Sequence, residues 1–172
     1  EARNDWDHEA WENTGHGTPY FWNEPVFGYY RNTDEYVVRK HAEMLADAGV
    51  DVIIFDCTNG TFTWKPGYDT IFEVFEQARA EGVDTPQVAF MLNFGANENT
   101  NTELKSLYRD IYKKERYKDL WFMWEGRPLI MAHPDGLDPY NETEKEILNF
   151  FTFRRNEPSY FAEDRTIEQG WW

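Results

Sequence analysis

Nearly apolar segments of strand length alternate with amphipathic segments of helix length along most of this chain. Residues 50–55 are apolar apart from Asp51 and rich in β-branched side chains, which is typical of a strand covered on both faces. Further strands are predicted at 87–92 and 150–153, and a hairpin at 120–132 turns at Glu125-Gly126-Arg127. Strands separated by helices favour a parallel sheet with right-handed crossovers. The sequence therefore predicts an α/β fold.

The predicted helices carry recognisable ends. Asn32-Thr33-Asp34-Glu35 places a capping residue three positions before a glutamate, and Gly49 supplies a left-handed stop. Helical spacing predicts that this first helix turns Val37, His41, Met44, Leu45 and Ala48 inward. Further helices are predicted at 68–81, 102–117 and 142–148.

Two ways of closing such a sheet are open from the sequence: a doubly wound open sheet, or part of a (β/α)8 barrel of the TIM type. A complete barrel needs about 250 residues, whereas this chain has 172 residues. It contains about four of the eight strand–helix units of such a barrel. We therefore expect residues 1–172 to form a single domain, an incomplete barrel that corresponds to its N-terminal half.

The composition argues against several classes of protein. The chain has 32 acidic and 17 basic side chains and a net charge of −15, which repels phosphate backbones and argues against a nucleic-acid partner. Aromatic residues make up 18% of the chain, far more than a disordered acidic tail contains. No apolar run reaches the roughly 18 residues of a membrane span. No glycine-rich phosphate loop is present, and nothing in the sequence indicates a cofactor.

Polar residues follow the predicted strands directly. Asp56 and Asn59 follow the first strand, Asn93 the second and His133 the third, and Arg154 closes the last. In parallel α/β folds, ligands bind at the carboxyl ends of the strands. We therefore expect Asp56 to be a catalytic residue, and Asn59, Asn93 and His133 to bind substrate. The alternative for each is a polar residue that starts a loop, caps a helix or pairs with a neighbouring strand.

The densest aromatic stretch is 20–30, in which Trp22, Tyr29 and Tyr30 are accompanied by Glu24. Rings in a loop can stack on the C–H face of sugars while amide and carboxylate groups bind the hydroxyls. This pattern indicates a carbohydrate cleft, with Trp22, Tyr29 and Tyr30 as binding residues and Glu24 as a second candidate catalytic carboxylate. In the alternative interpretation, these rings cover the bottom or the side of the sheet.

Other potential chemistry has weaker support. Asp5, Asp7, His8 and His16 are possible metal ligands, but their spacing matches no compact metal motif, so we assign no metal site. Cys57 is the single cysteine and has no neighbouring histidine in the sequence to generate a thiolate. We expect it to be a small buried hydrophobic residue.

Several stretches, taken in order, resemble a family of (β/α)8-barrel glycoside hydrolases, the endo-α-mannosidase-like enzymes. The stretches are Gly28-Tyr29-Tyr30, Asn32-Thr33-Asp34, Arg39-Lys40-His41, residues 48–56, residues 107–111 and residues 124–130, the last with a Gly-Arg-Pro hairpin. The likeness covers roughly residues 20–135. It implies a barrel that cleaves O-glycosidic bonds of a glycan.

One position departs from this family. Its members end the strand that matches 88–94 in a catalytic glutamate followed by proline, whereas Asn93 stands here. An amide cannot act as acid, base or nucleophile. Glycosidic cleavage uses two carboxylates, and Asp56 and Glu24 are the best-placed acids in this chain. The resemblance implies that further acids come from later strands, so we expect the 172 residues alone to be inactive.

Three functions remain open from the sequence. The leading hypothesis is a glycoside hydrolase acting on an oligosaccharide or polysaccharide, with a catalytic set completed by sequence beyond this chain. The second is a carbohydrate-binding barrel without catalytic activity. The third is a metal-dependent hydrolase of the deacetylase type that uses the acids and histidines of the opening segment. A protein that acts on polymeric glycans is expected to be extracellular or periplasmic.

Overall fold

The computed structural model describes residues 25–156. In chain order, its helices and strands are α1 (Glu35–Asp47), β1 (Val52–Asp56), α2 (Lys65–Ala80), β2 (Gln87–Met91), α3 (Glu98–Leu107), β3 (Met123–Trp124), β4 (Arg127–Met131), α4 (Glu142–Phe150) and β5 (Thr152–Arg154). A π-helical turn at Tyr108–Tyr112 extends α3, and short 3-10 turns lie at Lys118–Leu120 and Pro134–Gly136.

The sheet is built from four parallel strands in chain order. β1 pairs with β2, β2 with β4, and β4 with β5, all in parallel, while β3 forms an antiparallel hairpin with β4. The strand order does not reverse among the strands of residues 25–156. The predicted α/β class, with parallel strands alternating with helices, is confirmed.

The predicted hairpin is also confirmed. Its two turn residues, Glu125 and Gly126, have φ values of 55° and 80°. Positive φ at both central positions is the geometry of a two-residue turn whose twist matches that of the flanking strands. After this turn, β4 enters the sheet and pairs with β2.

The helices pack on one face of the sheet. The strand register aligns Phe55, Phe90, Ile130 and Phe153 in a row across all four parallel strands. These side chains pack into the same core as residues of α2, α3 and α4. Because side chains alternate along a strand, the preceding and following positions, such as Ile54 and Asp56, point to the opposite face.

The aromatic core has two parts. Between β1, β2 and α2, the Phe90 ring lies 5.2 Å from Phe55 and 5.5 Å from Tyr68, measured between ring centroids. Beneath β5, the Tyr112 ring lies 4.7 Å from Phe151 and 4.9 Å from Trp121. Such ring pairs add directional packing to the burial of apolar surface.

Helix α1 ends where the sequence predicts, but its cap is Asp34 and not Asn32. Of the predicted inward residues, Val37 is buried and Leu45 packs against the core, whereas Met44 and Ala48 are exposed. Asp34 caps it by accepting a hydrogen bond from the Val37 amide, and Gly49 follows it with φ of 69°. The predicted inward residue Met44 is 53% exposed, whereas Val38 and Ala42 are buried. Because Val37 and Val38 are both buried, the buried face extends one position further than predicted and includes Ala42.

The predicted helix at 102–117 is divided in the structure. The α-helix ends at Leu107, and a π-helical turn follows in which the Lys113 amide donates to the Tyr108 carbonyl at 2.8 Å. The wider turn lets Tyr108, Ile111 and Tyr112 all be buried within five residues, and π-turns of this kind are single-turn insertions into α-helices. None of the helices within residues 25–156 combines the length and the apolar character of a membrane-spanning segment.

Truncation of Phe90 is expected to destabilise the fold strongly. Its side chain is fully buried at the junction of β2 and α2, so Phe90→Ala should leave a cavity and lower the free energy of unfolding by about 3–5 kcal/mol. Phe62→Ala is the matched control, because the Phe62 side chain is 66% exposed and its loss should change stability by less than about 1 kcal/mol. Urea unfolding of both variants measures the difference, and equal losses would contradict this description of the core.

Candidate functional site

The carboxyl ends of the parallel strands meet at one edge of the sheet. We call the loops at this edge the carboxyl rim, defined as residues 57–64 after β1, 92–97 after β2 and 132–141 after β4. The strand ends stay in register, since the Cys57 amide donates to the Met91 carbonyl at 2.8 Å and the Leu92 amide donates to the Met131 carbonyl at 2.9 Å. Asp56, Asn93 and His133 therefore lie along the same edge, as the parallel topology requires.

Asp56 presents an exposed carboxylate at the end of β1. It lies on the sheet face opposite the helices, and its Oδ1 accepts a hydrogen bond from the Thr58 amide at 2.9 Å. This local turn orients the carboxylate, because one of its oxygens is held by the backbone two residues on. The neighbouring Asn59 is also exposed. The two side chains can therefore meet a ligand at the carboxyl rim.

Two large aromatic side chains project from the same loop. Phe62 and Trp64 are 66% and 59% exposed, and their ring centroids lie 6.0 Å apart. Trp64 has φ of 54° immediately before α2, a left-handed conformation that is costly for a bulky residue and often marks a functional position. After β2, Phe94 adds a partly exposed ring to the rim. The rim thus combines a carboxylate, an amide and exposed rings.

A small cavity lies between the end of β1 and the start of α2. Its volume is about 210 Å³, and its lining includes Asn32, Asp56, Cys57, Trp64 and Tyr68. Gly67 forms part of its wall, and a Cβ at this position would lie 2.9 Å from Asn32 Nδ2. The cavity is below the roughly 300 Å³ at which small-molecule pockets begin, so it is too small to enclose a whole ligand of that size.

The structure directs the polar groups of Asn93 and His133 into the protein. Asn93 Nδ2 donates to the Gly60 carbonyl at 2.5 Å and to Glu103 Oε2 at 2.6 Å. His133 Nε2 lies 2.9 Å from the Asn156 carbonyl, and Asn156 Nδ2 donates to the Leu92 carbonyl at 2.6 Å. Both predicted binding residues are largely buried. In this arrangement they connect the rim loops to one another.

Glu103 on α3 is a fully buried carboxyl group directly behind the rim. Burial raises its pKa from its ordinary 4.5 to about 7, although the hydrogen bonds from the Asn93 side chain and backbone lower the pKa in part. The second carboxyl oxygen, Oε1, is buried without a hydrogen-bond partner. Burying an ionised carboxylate with incomplete hydrogen bonding lowers the stability of the fold, which favours the protonated form of Glu103.

Cys57 behaves as the sequence predicts. It is buried at the end of β1, and burial, with the negative charges of Glu103 and Asp56, raises the pKa of its thiol to about 12. A thiol with such a pKa is protonated at neutral pH and is a poor nucleophile.

The aromatic opening segment is described only in part. Tyr29 and Tyr30 are half-buried, and the Tyr30 ring contacts His41 of α1 edge-on with centroids 5.6 Å apart. Trp22 and Glu24, and the possible metal ligands Asp5, Asp7, His8 and His16, lie outside the described residues. Within residues 25–156, no group of three or more His, Cys, Asp and Glu side chains is arranged to hold a metal ion.

Arg154 lies at the end of β5. Its Nη2 forms an ion pair at 3.1 Å with Glu125 in the hairpin turn. This contact braces the hairpin against β5.

A wider depression lies at the opposite, amino edge of the sheet. Its volume is about 640 Å³, and its lining includes Asp51, Arg79, Thr85 and Phe122. The Arg79 guanidinium is committed to Thr85, with Nε donating to Thr85 Oγ1 at 3.0 Å. We favour the smaller cavity at the carboxyl rim as the functional site, because ligands of parallel α/β folds bind at that edge and the exposed rings of Phe62 and Trp64 lie there.

Sequence reasoning missed three residues of this site. Phe62 and Trp64 follow the Asn59-Gly60 turn in a short loop. The sequence predicts only a turn here and does not show that both rings remain exposed. Glu103 occupies an inward position of a helix whose start was predicted at Thr102. The Asn97 cap, which accepts a hydrogen bond from the Thr100 amide, is the sequence signal that could have set the helix start correctly and placed Glu103 in the interior.

Comparisons with protein-family models, with curated proteins and with solved structures found no match to this chain.

The buried carboxyl of Glu103 should make stability depend on pH. Because its pKa in the folded chain is raised to about 7, its contribution is fully favourable below pH 4.5 and is lost as the pH rises through 7. The free energy of unfolding should fall by about 3 kcal/mol from this group between pH 4.5 and 8. Glu103→Gln removes the titration, so the difference between wild-type and variant stabilities, measured by urea unfolding at each pH, should change by that amount. Parallel stability curves would contradict a raised pKa at Glu103.

Proposed function

We propose that this chain binds glycans at its carboxyl rim and forms part of a glycoside-hydrolase-like (β/α) barrel. The observation that carries the proposal is the exposed Phe62 and Trp64 pair in the loop that follows Asp56. Flat rings beside a carboxylate and an amide offer both kinds of contact that a sugar needs, a stacking surface and hydrogen-bond acceptors. In the described rim, these groups share one loop and one edge.

The sheet topology supports the barrel part of the proposal. Strands in chain order, each related to the next by a crossover of the same hand, place successive helices on one face, as in a barrel wall. A doubly wound sheet instead reverses its strand order at the ligand site. The four parallel strands of residues 25–156, β1, β2, β4 and β5, run in chain order. The resemblance of residues 20–135 to endo-α-mannosidase-like hydrolases supports the same architecture.

Hydrolysis is the further step of this proposal, with Asp56 as the candidate catalytic carboxylate. Asp56 is exposed and oriented by the Thr58 amide, as a group that acts on a bound ligand must be. A glycosidase needs a second carboxylate roughly 5–10 Å away, and we propose that Glu24 or an acid beyond residue 172 supplies it. A protein with this activity on polymeric glycans would act outside the cytoplasm, in the periplasm or the extracellular space.

Carbohydrate binding without catalysis is the second candidate. The observation that favours it is Asn93, which stands where the resembled family has a catalytic glutamate and whose amide is hydrogen-bonded inside the protein. The metal-dependent hydrolase is the third candidate and rests on Asp5, Asp7, His8 and His16 alone.

Removal of the Trp64 ring is expected to weaken glycan binding about tenfold, since a stacking ring contributes on the order of 1 kcal/mol or somewhat more. Trp64→Ala is compared with Trp124→Ala. Trp124 is 36% exposed and lies on β3 at the opposite edge of the sheet. Affinity electrophoresis in gels containing a panel of soluble polysaccharides, followed by calorimetry with the best ligand, measures both variants.

Only the Trp64 variant should lose retardation in these gels. Equal effects of the two substitutions would refute the carboxyl rim as the binding surface. A wild-type chain that no polysaccharide retards would refute glycan binding itself.

Asp56→Asn separates the hydrolase from the binding protein. In a protein that extends this chain and cleaves a glycan, the substitution should lower kcat by at least about 100-fold, because an amide cannot transfer the proton or form the bond that catalysis requires. Binding of the same glycan should stay within about threefold. Turnover that survives the substitution would exclude Asp56 as a catalytic residue, and release of reducing ends is the assay.

A further inference from the structure

Glu103 is buried on the helix side of the sheet, so it cannot touch a ligand bound on the rim. Its hydrogen bonds nevertheless lead straight to the rim. Oε2 accepts from Asn93 Nδ2 at 2.6 Å, and the Asn93 backbone amide approaches the same oxygen at 3.5 Å. The carboxyl group thus holds the end of β2 from behind.

Asn93 connects Glu103 to the loop that carries the exposed rings. The same Nδ2 that donates to Glu103 also donates to the Gly60 carbonyl at 2.5 Å. An amide nitrogen has two hydrogens, so these two contacts use both. Gly60 lies two residues before Phe62 and has φ of 76°. Because glycine adopts many backbone conformations, this loop would be mobile without a contact that holds Gly60.

The other side of Asn93 is held as well. Thr100 Oγ1 donates to the Gly95 carbonyl at 2.9 Å and also lies 3.3 Å from the Asn93 carbonyl. Thr100 and Glu103 are one helical turn apart on the buried side of α3. Helix α3 therefore fixes both the side chain and the backbone of Asn93, which in turn fixes Gly60.

We propose that Glu103 is a positioning residue of the glycan site: through Asn93 it holds the 57–64 loop in the conformation that presents Phe62 and Trp64 to a sugar. This inference rests on the proposed function and deepens it. Without an acceptor at position 103, the Asn93 amide loses one of its two partners, and its hydrogen bond to the Gly60 carbonyl no longer has a fixed orientation.

The cost of burial supports this role. The carboxyl of Glu103 keeps one oxygen without a hydrogen-bond partner, so an apolar residue of the same size would suit the interior equally well on energetic grounds. Two groups lie close to the Glu103 carboxyl. Asn93, which follows β2, donates a hydrogen bond to it. The thiol of Cys57, which follows β1, is neutral, and the negative charge of Glu103 contributes to its raised pKa. An apolar side chain would lack the hydrogen-bond acceptor that Glu103 provides for Asn93.

The test uses the full 172-residue chain with Glu103→Met, Glu103→Gln and Glu76→Ala. Methionine keeps the volume but offers no comparable acceptor, glutamine restores a neutral acceptor, and Glu76 is an exposed glutamate on α2 that serves as the control. Hydrogen exchange, followed by mass spectrometry of peptides covering 57–64 and β2, reports local opening of each segment.

In Glu103→Met, exchange of the 57–64 loop should rise at least about tenfold while that of β2 stays within about threefold of wild type. Affinity for the glycan should fall about tenfold. Glu103→Gln should recover most of both losses, and Glu76→Ala should match wild type. Asn93→Ala cuts the same connection from the other side, so it should loosen the same loop, and it provides the test if Glu103→Met does not fold.

The positioning role would be overturned by unchanged loop exchange in both Glu103→Met and Asn93→Ala, or by loop and β2 exchange that rise together as in general destabilisation. Failure of glutamine to recover loop protection would also count against it. If the loop loosens as expected while the wild-type chain binds no glycan, the proposed function fails and the positioning of the loop by Glu103 stands.

Discussion

The parallel register of β1, β2, β4 and β5 is the constraint on which the rest of this structure depends. It sets Phe55, Phe90, Ile130 and Phe153 in one row against the helices. Because the strands run in the same direction, the same register brings their ends to a single edge. A shift of one residue in any strand would exchange its two faces, so the aromatic core that stabilises the sheet also fixes which polar residues reach the rim.

The rim loops are held by polar contacts as well as by apolar packing. Backbone carbonyls of neighbouring segments form hydrogen bonds with the side chains of Asn93, His133 and Asn156. Such hydrogen bonds require a narrow range of distances and angles. Apolar packing alone would leave the loops several conformations of similar energy. Under the proposed function, this order would favour glycan binding, because less conformational entropy is lost when Phe62 and Trp64 are already in place.

The sequence was informative where the pattern is local and strong. The apolar run before Asp56, the Gly49 stop and the Glu125-Gly126 turn predicted β1, the end of α1 and the hairpin, because each depends on neighbouring residues. The sequence was not informative where tertiary packing determines which side chains are buried and which residues are in contact. Met44 and Ala42 are both compatible with a helix face, and only packing selects Ala42. The π-helical turn at Tyr108–Tyr112 arises from burying three large side chains together, and the contact of Glu103 with Asn93 spans ten residues.

The contact between Glu103 and Asn93 also bears on catalysis. In the proposed resemblance to endo-α-mannosidase-like hydrolases, Asn93 stands at the strand position of a catalytic glutamate, and the nearby carboxyl of Glu103 comes from α3 and is fully buried behind the sheet. A carboxyl in that place can orient Asn93, but it cannot reach an anomeric carbon on the rim. Asp56 ends β1 and combines exposure with a carboxylate oriented by the Thr58 amide, while Asp135 and Asp138, in the loop after β4, are further exposed acids of the rim. Under the proposed function, glycosidic cleavage requires a pair of carboxylates, so the distance from Asp56 to a second acid would distinguish a hydrolase from a binding protein built on this rim.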